Sequence, residues 1–432
     1  MRIKVIGAGL AGCEAANKLA ELGFSVDLYE MKPEKYSPAH KIPLFAELVC
    51  SNSLKAARFN SAAGLLKWEM ERLGSVCVEA AKKCSVPAGG ALAVDRDDFS
   101  RLITDKICEN PNITVHYGEV TRIDPDEYTV IATGPLTSGE LAENIKSLCG
   151  EEYLNFFDAA APIITAESID MSKAFAASRY GKGDGDDYIN CPFNKEEYER
   201  FRNELVNAER AKQHDADAPL KVYEGCMPIE VLASRGDDSV RFGPMKPVGL
   251  TDPNTGHRPW AVVQLRKENR EATMYNLVGF QTNLKFPEQK RVFGMIPGLR
   301  DAEFVRYGVM HRNSFINSPK LLCSDFSMRK FPKISFAGQI SGVEGYMESA
   351  ASGIVAAMGM AARINGECPK EFPSYTMLGA LSKYVSSSES EDFQPMGANF
   401  GILPALDVHI RDKQERYTAI SNRSKEWFDK NF

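Results

Sequence analysis

Residues 2–6 (RIKVI) are an almost unbroken apolar run that stops at glycine, the pattern of a buried strand. GAGLAG follows, and small apolar residues continue to about Leu22, where Gly23 ends the predicted helix. Ser25 to Tyr29 form a second strand closed by Glu30. Residues 32–61 read as irregular, broken by Pro33, Pro38 and Pro43. Farther on, Asp97 and Asp98 precede Phe99, Leu102, Ile103 and Ile107, one apolar helical face with an acidic start. Tyr128 to Ala132 predict another strand, leading into Thr133 and Gly134.

The pattern changes near residue 176, where turn residues (GKGDGDD) take over. Asn194 and Glu197 then open a helix with a capping box, carrying Tyr198, Phe201 and Leu205 on one face. Residues 220–310 mix short β-like runs with Gly and Pro. Lys333 to Phe336 return to a buried strand, followed by a glycine-rich turn and a long Ala-rich helix. The expected fold is α/β: a Rossmann-type FAD-binding domain, glutathione-reductase-like, with an inserted α+β domain. The boundaries expected are 1–175 and 325–432 for the two parts of the flavin domain. Residues 176–324 form the β-rich and helical insertion on the substrate side.

The 432 residues, 44% hydrophobic and 25% charged, suffice for a sizeable core. A net charge of −6 does not advertise nucleic acid, so an RNA site has to be local. The longest small-apolar run without charge, Ser349 to Ala362, falls short of the roughly 20 residues that span a bilayer. With no secretory signal, the expectation is a soluble cytoplasmic protein without membrane contact. Ten cysteines without a CxxC pair, in a chain of this size, read as thiols rather than as a disulfide framework. No HExxH motif or paired Cys/His spacing suggests a metal.

The dinucleotide signature is Gly7, Ala8, Gly9, Leu10, Ala11 and Gly12, between a strand and a helix. Gly7 permits the tight turn, Gly9 lets backbone approach a pyrophosphate, and Gly12 lets helix pack on strand. Glu30 stands where a carboxylate bonds a ribose hydroxyl. A second signature, FAGQISGVEGYMESAASG at 336–353, contributes Gly338, Gln339, Gly342 and Gly345. There a helix N-terminus can face the flavin ring and stabilise negative charge on it. The ATG ending at Gly134 is the third piece. No second GxGxxG is present. GKGDGD at 181–186 has the wrong spacing and reads as a surface loop, so NADPH or NADH would visit the flavin face transiently.

GAGLAGCEAA, ELVCSNSLK, VPAGGALAVDRDDF, YEGCMPIE and FAGQISGVEGYMESAASG together carry a resemblance. Nearly end to end, the chain resembles the folate- and FAD-dependent tRNA (uracil-5-)-methyltransferases, the TrmFO family, related to MnmG (GidA). The resemblance implies methylation of uridine C5 in the tRNA T loop, at position 54. The one-carbon unit would come from 5,10-methylenetetrahydrofolate and be carried by reduced flavin. It also implies that the nucleophile adding to uracil C6 matches Cys226, and that a second essential cysteine matches Cys50. Between them the division of labour stays open: Cys50 as base, as guard of the flavin, or as its adduct partner. The same chemistry on 23S rRNA and an MnmG-type uridine modification are the alternatives.

The chemistry is sound without the family. Uracil C5 is a poor nucleophile until a soft thiolate adds reversibly at C6, and the thiolate needs a helix N-terminus or cation nearby. Asn52, Ser53 and Lys55 surround Cys50; Gly225 and Pro228 suggest a fixed, exposed backbone around Cys226. Cys13, Cys77, Cys84, Cys108, Cys149, Cys191, Cys323 and Cys368 read as inert buried thiols. Residues 241–312 hold twelve Lys or Arg against six Asp or Glu, a basic stretch on an acidic chain. Arg241, Lys246, Arg258, Arg266, Lys267 and Arg270 are candidate RNA contacts, with Trp260 and Tyr275 as stacking groups.

Overall fold

Five parallel strands make the first sheet of this computed structural model, in the order Ile334–Phe336, Thr129–Ile131, Arg2–Ile6, Ser25–Glu30 and Ile113–Tyr117. The structure describes residues 1–150, 153–211, 227–387 and 393–432; of residues 153–158, 311 and 312 it describes the backbone alone. Arg2–Ile6 sits mid-sheet because its apolar residues are covered on both faces. The helix Leu10–Glu21 leaves it with an almost wholly buried, Ala-rich surface. That surface packs against the long helix Tyr346–Ile364, close enough that a Cβ on Gly353 would lie 2.1 Å from the Ala11 carbonyl oxygen. Small residues are what permit this approach, so the two glycine signatures of the sequence meet in space.

The second unit is an antiparallel sheet of six strands, ordered Phe175–Ala176, Tyr188–Phe193, Ala261–Lys267, Met274–Leu277, Ile163–Thr165 and Phe304–Arg306. Its own core gathers Phe193, Phe201, Phe280 and Phe293, separate from the core of the flavin-type sheet. The helix Lys195–Asn207 covers it, opened by the expected capping box between Asn194 and Glu197. Sheet strands occur from 163 to 306, so they begin ahead of the boundary expected at 176. Ile163–Thr165 is too short to show a period, and its pairing partners lie more than 100 residues away. The backbone ladder Tyr153–Ala159 with Met310–Ile316 joins the two units.

One strand lies where irregular chain was expected. Ser53–Ala56 pairs antiparallel with Ala91–Val94, which also pairs with Ser85–Val86. Its register shifts at Lys55, whose φ of +63° hides the strand from any simple alternation. This strand follows Cys50 directly. Among the described residues no helix is long and apolar enough to cross a membrane.

Candidate active site

The glycine turns enclose a cavity of about 400 Å³. Gly7, Ala8, Gly9, Leu10, Ala11, Glu30, Gly134, Gly338, Gln339 and Gly345 line it, as does Cys50. Gly7 has φ +97°, and a Cβ there would lie 2.6 Å from the Ala132 carbonyl oxygen. A Cβ on Gly9 or Gly134 would meet nothing within 4 Å, so both backbones face open space that a ligand can use. Glu30 is buried and accepts from the Ala8 amide at 2.8 Å and the Lys32 amide at 3.0 Å, which fixes its carboxylate at the rim. The helix Tyr346–Ile364 starts at Gly345 and points its N-terminal amides into the cavity wall. This cradle fits the pyrophosphate, ribose and ring of FAD.

Two of the expected glycines work differently. Gly12 lies behind the wall: a Cβ there would come within 1.7 Å of the Gly7 carbonyl oxygen, so it serves helix–strand packing. Gly342 has φ +80° and abuts the ring of Phe393, where a Cβ would lie at 2.5 Å. Neither lines the cavity.

Cys50 is held by tertiary bonds. The Tyr346 hydroxyl accepts from the Cys50 amide at 2.8 Å and the Ser51 amide at 3.1 Å, and lies 3.0 Å from the Cys50 sulfur. Two amides occupy the oxygen's lone pairs, so the phenolic proton is left to point at sulfur. Burial pushes the Tyr346 hydroxyl well above its ordinary pKa, and Cys50 adds to the shift. Arg96 donates to the Leu48 carbonyl at 2.7 Å and the Val49 carbonyl at 3.2 Å, and pairs with Glu268 at 2.6 Å. Asn52, fully buried, donates to the Val94 and Lys267 carbonyls. Beyond the loop, Lys55 pairs with Glu348 at 2.7 Å. The result is a partly exposed sulfur on a rigid loop, among guanidinium groups that favour negative charge on it.

Cys226 lies outside the described residues. The chain after it is anchored: the Ile229 amide donates to the Gln281 carbonyl at 2.7 Å, and Gln281 lines the cavity. Of the eight cysteines expected to be buried and inert, Cys13, Cys77, Cys84, Cys149 and Cys191 are buried, and burial pushes Cys149 and Cys191 up to about 12. Cys323 is partly buried, whereas Cys108 and Cys368 are exposed. Cys108 ends a helix whose apolar face is formed by Phe99, Ile103 and Ile107, and so falls off that face.

A family model described as Glucose inhibited division protein A matches residues 2–368. A protein of Acetivibrio thermocellus named methylenetetrahydrofolate–tRNA-(uracil-5-)-methyltransferase TrmFO is 60% identical over 414 residues, 96% of this chain and 94% of its own. The chain belongs to the GidA family, among its TrmFO members. TrmFO proteins so named from Desulforamulus reducens and Halalkalibacterium halodurans are 55% and 54% identical, over 99% and 98% of this chain and 98% and 97% of their own. The fold agrees: Aquifex aeolicus GidA in one crystal form superimposes with a TM-score of 0.68 at 15% identity, covering 99% of this chain and 73% of that one. A second crystal form gives 0.67 at 16% identity, covering 89% and 69%.

In this TrmFO member the basic stretch divides. Lys246, Arg258 and Arg270 are exposed. Arg241 stacks 3.8 Å from the Trp260 ring centroid and donates to the Trp260 carbonyl, so both groups are partly engaged within the protein. Arg266 corrects the expectation of a surface contact. Only 6% exposed, it donates to Asn52 Oδ1 at 2.9 Å and Ser51 Oγ at 2.8 Å, tying the Cys50 loop to the inserted sheet. Tyr275 is likewise buried, because its strand runs inside the sheet. The sequence reading missed Tyr346, Arg96, Glu348 and Arg306. Tyr346 had a signal, since it follows Gly345 at the helix start; the guanidinium groups had none. Arg306 is pulled down to about 10 by burial and by neighbouring Arg96.

Proposed function

We propose that this chain is a cytoplasmic enzyme that methylates C5 of a uridine in the T loop of tRNA, at position 54. Its carbon donor is 5,10-methylenetetrahydrofolate, its cofactor FAD, and its reductant NADPH or NADH. The observation that carries the reading is Cys50: a sulfur in the wall of the dinucleotide cavity, aimed by a tyrosine on the helix that faces the same cavity. Bound FAD would supply the electron and one-carbon transfer chemistry.

The chain's own residues do the rest. Cys226 adds as thiolate to uracil C6, which makes C5 nucleophilic. Cys50 faces the pyrimidine from the cavity wall, where a thiolate is suited to take the C5 proton. Tyr346 and the Arg96–Glu268 pair hold its loop during the exchange of partners. Exposed Lys246, Arg258 and Arg270 supply phosphate contacts that position the RNA without reading sequence.

Purified holoenzyme is incubated with tRNA lacking 5-methyluridine, methylenetetrahydrofolate and NADPH. The expected product is 5-methyluridine at position 54, with none formed from S-adenosylmethionine alone. Methylation of 23S rRNA instead, or a wobble-uridine product, would replace the substrate assignment. Full turnover in Cys226→Ala would remove the nucleophile.

A further inference from the structure

The register of the inserted sheet lines up five residues from five neighbouring strands. Tyr188 opposes Arg266, Arg266 opposes Asn276, Asn276 opposes Ile163, and Ile163 opposes Arg306. Directly opposed residues share a face of an antiparallel sheet, so Tyr188, Arg266, Asn276 and Ile163 lie on one side; the register shifts between Phe304 and Arg306, and Arg306 joins that side because Arg96, Glu268 and Tyr346 surround it as they surround Arg266. Its first half is anchored: Tyr188 donates to the Ala88 carbonyl at 2.9 Å, and Arg266 to Ser51 and Asn52 beside Cys50. Asn276 stands one strand spacing, about 5 Å, from Arg266, and its backbone is about 10 Å from that of Arg306, a span an arginine side chain crosses.

The second half has donors without acceptors. Asn276 Nδ2, Arg306 Nε and Arg306 Nη2 are buried and make no hydrogen bond among the described residues. Asn276 itself is 2% exposed. Unmade buried hydrogen bonds are unfavourable, and natural structures keep few of them, so three in one row beside a candidate catalytic sulfur call for a ligand. All three atoms are donors. Nε and Nη2 form the side-on edge of the guanidinium, which takes oxygen acceptors. The charged or titratable groups around Arg306 are Arg96, Glu268, Tyr346 and Cys50, and Glu268 is already paired with Arg96.

Two parts of an RNA carry oxygen acceptors. Phosphates fix register from the protein surface, whereas a nucleotide extruded for chemistry puts its base into the enclosed part of the site. The donors here have no exposed surface, which favours the base. An amide presents a donor and an acceptor side by side, the complement of uracil O4 and N3–H; turned over it would match cytosine, so the donor-only guanidinium edge, which O4 can accept from and a cytosine amino group cannot, selects uracil. We propose that Asn276 and Arg306 form the edge that reads the target pyrimidine, the amide pairing with O4 and N3–H and the guanidinium donating to O4. Neither residue lines the open cavity, so on this proposal the side chains over them part to admit the base.

This deepens the methylation reading and rests on it. When the thiolate forms its bond to C6, the C5=C6 π pair moves to C5=C4 and the carbonyl pair moves onto O4. Departure of sulfur reverses both shifts, with no net oxidation. A guanidinium at O4 bonds the enolate more strongly than the ground-state carbonyl. Arg306 and Asn276 therefore determine specificity and contribute to rate.

The test uses full-length, FAD-loaded protein and T-arm RNA hairpins carrying uridine, cytidine or 2-pyrimidinone riboside, which lacks O4, at the target. Wild type is expected to bind the uridine hairpin about tenfold or more tightly than the pyrimidinone one. Arg306→Met and Asn276→Ala should each bring that ratio toward one, with FAD absorbance retained, and Arg306→Lys should restore part of it. Asn276→Asp, close in shape and so a safeguard against misfolding, should shift preference toward cytidine. Unchanged ratios in the variants would overturn the assignment while leaving the methylation reading in place. A wild type that binds none of the hairpins would overturn the RNA reading and this edge with it.

Discussion

Tyr346→Phe removes one oxygen and tests how the Cys50 loop is held. That oxygen accepts from the Cys50 and Ser51 amides and leaves its proton for the Cys50 sulfur. The phenylalanine ring fits the same space, so packing barely changes, but two amides lose their acceptor. A donor stranded in this way costs about 1–3 kcal/mol. For two amides at a partly exposed loop, where water can replace some of the loss, a local penalty of roughly 2–4 kcal/mol follows. The penalty belongs to the loop rather than the whole fold, because Arg96, Arg266 and Asn52 still tie its flanks. Hydrogen exchange reads it directly: protection of the Cys50 and Ser51 amides should fall roughly 30- to 1,000-fold. FAD content should hold, and the methylation kcat should drop with KM little changed, since the phenol aims the sulfur and touches no RNA. Unchanged protection at both amides would show that the phenol does not order this loop.

Gly12→Ala and Gly9→Ala should separate packing from binding. The first drives a Cβ into the Gly7 carbonyl and should lower both thermal stability and FAD content; the second meets no protein atom and should weaken FAD while the apoprotein melts as before. Arg266→Met should lower the unfolding free energy by about 2 kcal/mol, read as a lower denaturant midpoint at unchanged m, because Asn52 Oδ1 loses its partner in the interior; a change confined to the salt dependence of RNA binding would return Arg266 to the surface role. Burial holds the Lys67 ammonium, bonded to the Leu54 carbonyl at 2.7 Å, at about 8 against an ordinary 10.5. Folding therefore carries a charge-burial cost at pH 7 that is relieved as pH rises through 8 toward 10.5. Relative to Lys67→Met, wild type should gain on the order of 2 kcal/mol across that range, and parallel stability curves would count against it.

The sequence by itself determined the parts governed by local rules. RIKVI next to GAGLAG can hardly be anything but strand, tight turn and helix, since only glycine accepts φ +97° at residue 7 and only a residue without Cβ fits at 12. Asn194 and Glu197 announced their helix for the same reason: a cap is satisfied within four residues. The motif around Cys50 marked a reactive sulfur without saying what holds it. The tertiary structure alone decided that Tyr346, 296 positions away, aims Cys50, and that Arg266 leaves the charged surface to bond Ser51 and Asn52 across more than 200 residues. Charge along a chain says that a side chain needs a partner. Burial and strand register say which partner it finds, and both are properties of the packed sheet rather than of any stretch of sequence.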